Sequence, residues 1–340
     1  MAANKYLLTG CTPALITPFL ADGSGVNVEV IPSLVEMHIE AGVSGFYICG
    51  STGEGAAMTV AERKVMAEAT MAAVAGRAPV VTMVGNCPID EAIELAKHAE
   101  SIGISGLSST VPKDKPKDLE AAVEYFTALG GATALPFYIY WIASTAAGDM
   151  TAPKYLEAVK GIPNLAGIKV LTSVSPSSTY SRLTPYSFPS RFSTCKFTDS
   201  NFFLFQQLMA LGEGVLGRPF NCVTGPDEMA VAGLAMGSHG AIGSTYNSQP
   251  KLNVAMHAAY AAGDVKLAAE LQAKCNAVIA LFFEHCELFS GGLKIIAGIK
   301  AIYRARGFDV GHSREATGVI TEAQEKALLA SIEALDWAVE

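Results

Sequence analysis

Hydrophobic and polar positions follow two different periods along this chain. Short apolar runs with an alternation of two predict β-strands, and the longer stretches between them carry apolar residues at helical spacing. The predicted strands are Ala14–Thr17, Gly45–Cys49, Val80–Val84, Gly106–Ser109, Phe137–Ile142, Leu165–Lys169, Phe220–Val223 and Ala241–Gly243. The predicted helix over residues 60–74 is preceded by a capping box formed by Thr59 and Glu62.

The order of these elements indicates the fold class. Strict alternation of strands and helices is typical of a parallel sheet, and about eight βα units predict an α/β fold closed into a (β/α)8 TIM barrel. A doubly wound open sheet is the alternative. The glycine pattern at residues 212–217, GEGVLG, follows a helix and precedes a strand, which reverses the dinucleotide-binding order.

The last part of the chain has a different pattern. Residues 251–263, 266–290, 293–307 and 322–340 have helical periodicity without strands between them. We therefore expect a barrel over residues 8–250 and a C-terminal helical extension over residues 251–340.

One segment inside the barrel region departs from the alternation. Residues 170–196 are rich in Ser and Pro and contain no Asp or Glu. The segment falls between a predicted strand and its helix, where barrel enzymes keep catalytic loops. A surface insertion without regular structure is the alternative interpretation.

Composition excludes several classes of partner and site. Charged residues are 16% of the 340 and the net charge is −8, so nucleic acid and anionic membranes are not expected partners. The chain start lacks the apolar stretch of a signal peptide, and no run approaches the roughly 18 apolar residues of a membrane span. We expect a cytoplasmic protein. The 7 cysteines and 6 histidines show no ligand spacing, so neither a disulfide framework nor a metal site is predicted.

Candidate chemistry lies where the predicted strands end. The loop GSTGEG at residues 50–55 offers backbone N–H groups and the hydroxyls of Ser51 and Thr52 to an anion. It lacks the ending of a nucleotide-binding P-loop, which favours a small carboxylate over a triphosphate. An ordinary flexible turn is the alternative.

A lysine and a tyrosine end two later strands. Desolvation inside a barrel lowers the pKa of a lysine, so that Lys169 can attack a carbonyl and form a Schiff base. The alternative is a lysine that reaches solvent from the end of its strand. Tyr140, near the end of the preceding strand, can move protons at a substrate oxygen, although aromatic strands more often serve the core.

Five motifs, taken together and in order, resemble one known superfamily. They are GSTGEG at 50–55, LPFYIYW at 135–141, GIK at 167–169, GPDE at 225–228 and GSTYN at 243–247. They are similar to the pyruvate-dependent class I aldolases of the dihydrodipicolinate synthase and N-acetylneuraminate lyase superfamily. The resemblance implies a TIM barrel, usually a homotetramer, that joins a lysine to pyruvate as an imine and needs no metal or organic cofactor.

Within that superfamily the sialic acid lyase branch is the more similar. There an acidic pair matching Asp227 and Glu228, in the motif that begins at Gly225, binds the polyhydroxy tail of the substrate with a serine matching Ser244. Charge at a helix N-terminus is the alternative role for the acidic pair. The synthase branch has an aromatic pair after its fourth strand, and Val111–Pro116 has no aromatic residue.

The resemblance thus implies cleavage of N-acetylneuraminate to N-acetylmannosamine and pyruvate, a sugar acid and a keto acid being the small-molecule partners. Another pyruvate-dependent aldolase, either synthase-like or a sugar-acid lyase, is one alternative. A sugar-acid-binding protein that the insertion has deprived of catalysis is the other.

Two departures from the family motif bear on these expectations. The lyases read roughly G-[IL]-K-[FY]-[ST]-D without a break, whereas here GIK at 167–169 and KFTD at 196–199 each supply part of it. Lys169 and Lys196 are therefore both candidates for the imine, with Lys169 preferred, and Thr198 is a candidate substrate contact. Removing residues 170–196 restores the motif, which suggests a retained intron or a gene-model error. The second departure is Trp141-Ile142 in place of an I-P pair after Tyr140.

Overall fold

The structure, a computed structural model, describes residues 7–110, 119–142, 152–162, 164–173, 198–199, 202–286, 294–314 and 318–335. The strands are β1 Gly10–Pro13, β2 Phe46–Ile48, β3 Val80–Met83, β4 Gly106–Ser109, β5 Phe137–Ile142, β6 Leu165–Ser173, β7 Thr198–Asp199, β8 Asn221–Thr224 and β9 Gly240–Gly243. The helices are α1 Ile31–Glu40, α2 Val60–Val74, α3 Ile89–Ser101, α4 Leu119–Gly130, α5 Ala152–Val159, α6 Phe202–Leu216, α7 Ala230–Ala235, α8 Pro250–Ala261, α9 Val265–His285, α10 Lys294–Ala305 and α11 Glu322–Glu333.

The strands form one sheet that curls into a barrel. Its order is β1-β9-β8-β6-β5-β4-β3-β2, with every neighbouring pair parallel. A parallel bridge between Ala14 and Tyr47 joins the two ends of this order, and the amide of Leu15 donates to the carbonyl of Tyr47 at 2.9 Å. The predicted (β/α)8 TIM barrel is confirmed.

Two apolar clusters hold the helices to this barrel. The larger one fills the barrel and the space beneath α1 to α6. The second joins α1 to the C-terminal helices through Leu34, Phe282, Ile299 and Leu328. The C-terminal helices therefore pack on the side of the barrel where β1 and β2 meet.

Local sequence signals account for several element ends. The capping box is present, because the Thr59 hydroxyl accepts from the amide of Glu62 while the Glu62 carboxylate accepts from the amide of Thr59. The GEGVLG pattern forms the last turn of α6, and Gly217, with a φ of 64°, ends it. It does not open a helix after a strand, so it is not a dinucleotide-binding turn.

Two predicted strands differ from the structure by more than one residue at an end. Residues 14–17 follow β1 as a buried loop, since the ladder to β9 already ends at Pro13. Their apolar character reflects burial in that loop, which sequence alone does not distinguish from a strand. The strand predicted to end at Lys169 continues to Ser173, because Thr172 and Ser173 gain an antiparallel partner in β7.

No helix within the described residues is long and apolar enough to cross a membrane. The division of the chain at residue 250 remains a prediction, as do the boundaries of the insertion over residues 170–196, most of which lies outside the described residues.

Candidate active site

The loops after β2 and β9 meet at the C-terminal end of the barrel. The hydroxyl oxygens of Thr52 and Ser244 lie 2.7 Å apart and share a hydrogen bond. Thr52 is buried, whereas Ser51 beside it is exposed. Two residues that were predicted separately to bind substrate are therefore neighbours, at the end of the barrel where enzymes of this fold keep their sites.

The backbone of the loop over residues 50–55 is packed against its own strand. A Cβ atom at Gly53 would lie 3.0 Å from the amide nitrogen of Cys49, and one at Gly55 would overlap the carbonyl of Cys49. The hydroxyl of Thr17 donates to the carbonyl of Gly53 at 2.6 Å. The glycines thus permit a turn tight enough to leave Ser51 exposed.

Glu54, in the same loop, takes part in a buried ion pair that the sequence prediction missed. Its Oε1 atom lies 2.6 Å from Nζ of Lys300 on α10, and both side chains are fully buried. Burial lowers the pKa of Lys300 to about 8, although Glu54 favours the charged amine. A signal was available, since Lys300 is the only charged residue between Ile295 and Tyr303.

Tyr140 is buried inside the barrel, where it interacts electrostatically with Tyr47 and Asp227. Burial raises its pKa well above the usual range of a tyrosine, and negative charge on Tyr47 or Asp227 would raise it further. Tyr140 is therefore a neutral phenol at neutral pH, able to give a proton.

The candidate lysine is placed by backbone register. β5 and β6 pair Tyr140 with Lys169, and β6 and β8 pair Lys169 with Val223. The side chain of Lys169 lies outside the described part of the structure. Adjacent strands thus bring the backbone positions of the predicted acid–base residue and the predicted nucleophile together.

Asp227 joins the loops that follow β8 and β9. Its Oδ2 atom accepts hydrogen bonds from the Thr245 amide at 2.7 Å and from the Thr245 hydroxyl at 2.8 Å. Asp227 is buried, whereas Glu228 and Gly225 are half-buried. Asp227 and Glu228 also open a short turn of 3-10 helix ahead of α7, so a structural role for Asp227 accompanies the predicted binding role.

Of the second half of the interrupted motif, KFTD at 196–199, the structure describes only the last two residues. Thr198 belongs to β7, and its backbone pairs with Ser173 beyond the barrel portion of β6. Lys196 lies outside the described residues. The backbone of Thr198 is therefore on the same side of the barrel as the other candidates.

A second residue that the sequence prediction missed lies beneath the loop. The Tyr47 hydroxyl donates to Oγ of Ser108 at 3.0 Å, and a Cβ atom at Gly50 would lie 2.6 Å from its ring. Burial raises the pKa of Tyr47 as well. Its position three residues before Gly50, where the motif begins, was the available signal.

Comparison with known proteins identifies the family. The profile of the dihydrodipicolinate synthetase family matches residues 7–183 and 205–335. The chain belongs to this family. The resemblance inferred from the motifs is thereby confirmed, and the family profile leaves residues 184–204 unmatched, which overlap the end of the predicted insertion.

Relatives of this family member carry two different names. N-acetylneuraminate lyase of Rhizobium meliloti (strain 1021) is 29% identical over 322 residues, covering 94% of this chain and 93% of the relative. A 4-hydroxy-tetrahydrodipicolinate synthase of Thermoanaerobacter sp. (strain X514) is 27% identical over 308 residues, covering 90% and 89%. The solved structure of Proteus mirabilis N-acetylneuraminate lyase superposes with a TM-score of 0.79 at 31% identity, covering 98% of this chain and all of that one. Family membership alone therefore does not choose between lyase and synthase.

Proposed function

We propose that this family member is a Schiff-base lyase that cleaves N-acetylneuraminate to N-acetylmannosamine and pyruvate, reversibly. The observation that carries the proposal is the contact between Thr52 and Ser244, at the end of the barrel where Tyr140 and Lys169 are paired in register. The absence of aromatic residues from Val111–Pro116 favours this branch over the synthase.

Binding begins at the carboxylate of the keto acid. The loop over residues 50–55 offers the exposed Ser51 and the hydroxyl of Thr52, and Ser244 orients that hydroxyl. Hydroxyl and amide donors suit a carboxylate because each of its oxygens accepts more than one hydrogen bond. The side chains of Glu228, Asp227 and Ser244 form hydrogen bonds with the hydroxyls of the sugar-acid tail.

The covalent step joins an amine to the C2 carbonyl of the open-chain sugar acid. The nitrogen of Lys169, or of Lys196, attacks C2, and the carbonyl oxygen takes a proton from the Tyr140 phenol and leaves as water, which gives a cationic imine and a phenolate. Tyr140 takes the proton of the C4 hydroxyl while the C3–C4 bond breaks, and the electron pair of that bond neutralises the imine as an enamine. Protonation at C3 and hydrolysis release pyruvate and restore the lysine.

The high pKa of Tyr140 is compatible with this role. A cationic imine placed before the phenol stabilises the phenolate and lowers the pKa at the moment when a base is needed. In the synthetic direction the neutral phenol donates its proton to the aldehyde oxygen. One residue therefore serves both directions.

The test is borohydride reduction in the presence of pyruvate, followed by intact-mass measurement and peptide mapping. We expect one reduced adduct per chain, on Lys169, together with release of pyruvate from N-acetylneuraminate. An adduct without sialic acid cleavage assigns the protein to another pyruvate-dependent aldolase, which condensation of pyruvate with a panel of aldehydes then identifies. No adduct contradicts the proposal and favours a sugar-acid-binding protein.

The homotetramer and the cytoplasmic location implied by the resemblance belong to the same proposal. Light scattering after size-exclusion chromatography gives the assembly, and a fluorescent fusion gives the location. A monomer with full activity would contradict the expected assembly.

A further inference from the structure

The most deeply buried charges among the described residues connect the substrate loop to the C-terminal helices. Oε1 of Glu54 and Nζ of Lys300 are 2.6 Å apart with both side chains fully buried. The other carboxylate oxygen of Glu54 accepts from the Ser313 hydroxyl at 2.6 Å and from the Arg314 amide at 2.8 Å. One side chain of the loop is thus held from three directions by residues that follow the barrel in the chain.

Lys300 is held as firmly as its partner. Its amine donates to the carbonyl of His312 at 3.1 Å and lies 4.2 Å from the centre of the Phe19 ring. The guanidinium of Arg314 lies 4.1 Å from the centre of the same ring and pairs with Glu62 at 2.7 Å. The pair therefore sits in a fixed environment with little freedom to rearrange.

Stability by itself does not account for such a pair. Taking two charges out of water costs about as much as their attraction returns, so well-packed neutral side chains of similar size often serve stability equally well or better. The pair does constrain the backbone of the loop, because Glu54 has a left-handed φ of 53° that few residues other than glycine adopt. The contacts of its carboxylate hold that turn in place, two residues after Thr52.

We propose that Glu54 and Lys300 are positioning residues that fix the backbone and hydroxyls of residues 50–55 for the keto-acid carboxylate. This inference rests on the function proposed above and deepens it. It assigns to the C-terminal helical region an indirect part in substrate binding, because Lys300 on α10 acts through Glu54 of the loop.

The pair also implies a pH dependence of binding. Burial lowers the pKa of Lys300 from 10.5 to about 8, with the charges of Arg304 and Arg314 adding to this shift and Glu54 opposing it. Above pH 8 the amine loses its charge and Glu54 loses its ionic partner, so pyruvate binding weakens. The folded pKa lies below the unfolded one, so this titration adds stability between about pH 8 and 10.5, and thermal unfolding measured at each pH separates weaker binding from loss of structure.

The experiment compares Glu54→Gln, Lys300→Met and the double variant with the unmodified protein. The readouts are the pyruvate concentration that gives half-maximal borohydride labelling, and thermal unfolding. Each single variant leaves one buried charge unpaired and is expected to be less stable, whereas the double variant recovers stability because no charge remains buried. All three are expected to need roughly ten- to hundredfold more pyruvate for half-maximal labelling. In the unmodified protein this concentration is expected to increase above pH 8. Lys300→Met and the double variant are expected to lose that increase.

Arg304→Met provides the matched control. Arg304 lies on the same helix but pairs with Glu325 on α11 at 2.6 Å. Arg304→Met is expected to lower thermal stability. The pyruvate concentration that gives half-maximal labelling at pH 7 is expected to stay unchanged.

Two results separate this inference from the function on which it rests. If the unmodified protein is never labelled, the proposed function is wrong. If it is labelled and the stable double variant needs no more pyruvate than the unmodified protein, the function stands and the positioning role is wrong.

Discussion

The hydroxyl oxygens of Thr52 and Ser244 lie 2.7 Å apart although 192 positions separate the residues in the chain. Thr52 follows β2 and Ser244 follows β9, and β1 lies between these strands in the closed barrel. Closure of the barrel therefore brings two separately predicted residues into one contact. This contact orients the hydroxyl that is proposed to hold the substrate carboxylate.

Thr52→Val is expected to weaken pyruvate binding by roughly ten- to hundredfold, because a hydrogen bond to a charged carboxylate is worth about 1.5–3 kcal/mol. The measurement is the pyruvate concentration for half-maximal borohydride labelling. Thr70→Val is the matched control, since the Thr70 hydroxyl is also buried but donates within α2, to the carbonyl of Met66. In the double variant of Thr52→Val and Ser244→Ala, the effects of the two substitutions on pyruvate binding should not add. Full additivity would mean that the contact does not orient Thr52.

Tyr140→Phe is expected to slow cleavage of N-acetylneuraminate by roughly 10²–10⁴-fold, the usual contribution of general acid–base help. Pyruvate labelling should decline much less, because imine formation depends first on the lysine. Tyr138→Phe is the control on the same strand, since its hydroxyl donates to Asn221 at 3.1 Å toward the other end of the barrel. An unchanged turnover number in Tyr140→Phe would contradict the proton-transfer role.

Glu228→Gln is expected to reduce use of sialic acids while pyruvate labelling stays unchanged. Each lost hydrogen bond to a charged group costs about 1.5–3 kcal/mol, and only a substrate with the polyhydroxy tail makes it. Asp227→Asn should also lower stability, because the Asp227 carboxylate accepts from both the amide and the hydroxyl of Thr245. Equal losses for both ligands in Glu228→Gln would point to a structural role.

Deletion of residues 170–196 is expected to raise the turnover number. The deletion restores the uninterrupted motif, and about 1 Å of misplacement at a reacting centre can cost roughly 10²-fold. Steady-state kinetics and peptide mapping of the borohydride adduct test this on both forms, with the label expected on Lys169. A label on Lys196 in the full chain would show that the second half of the motif supplies the nucleophile. Finding these codons in the predominant transcript would contradict the retained-intron hypothesis.

Acid conditions are expected to destabilise the protein through His38. Burial lowers its pKa from 6.5 to about 3, and its Nε2 atom lies 2.9 Å from the Tyr303 hydroxyl. Below pH 6.5 the imidazole of His38 is protonated in the unfolded state but not in the folded state. The free energy of unfolding therefore falls by up to about 1.4 kcal/mol for each pH unit until pH 3. Urea unfolding at pH 7, 5 and 4 gives the slope of the free energy of unfolding against pH. This slope should be smaller for His38→Gln than for the unmodified protein. Equal slopes would exclude His38 as a source of acid sensitivity.

The fold class and the residues proposed for the site can be predicted from patterns in the sequence. The alternation of strand and helix periods predicts a parallel barrel, the capping box at Thr59 sets where α2 begins, and the glycines at 53 and 55 allow the tight turn at the end of β2. These are local properties, since each depends on residues within a few positions of one another.

Contacts between distant residues could not be predicted in this way. The buried ion pair of Glu54 with Lys300, and the hold of Asp227 on Thr245, join elements that local patterns treat as independent. The apolar residues at 14–17 were assigned to a strand because burial in a loop and burial in a sheet leave the same local pattern. Which buried residue meets which partner depends on the closure of the barrel and the docking of α10, because those contacts form between segments far apart in the chain.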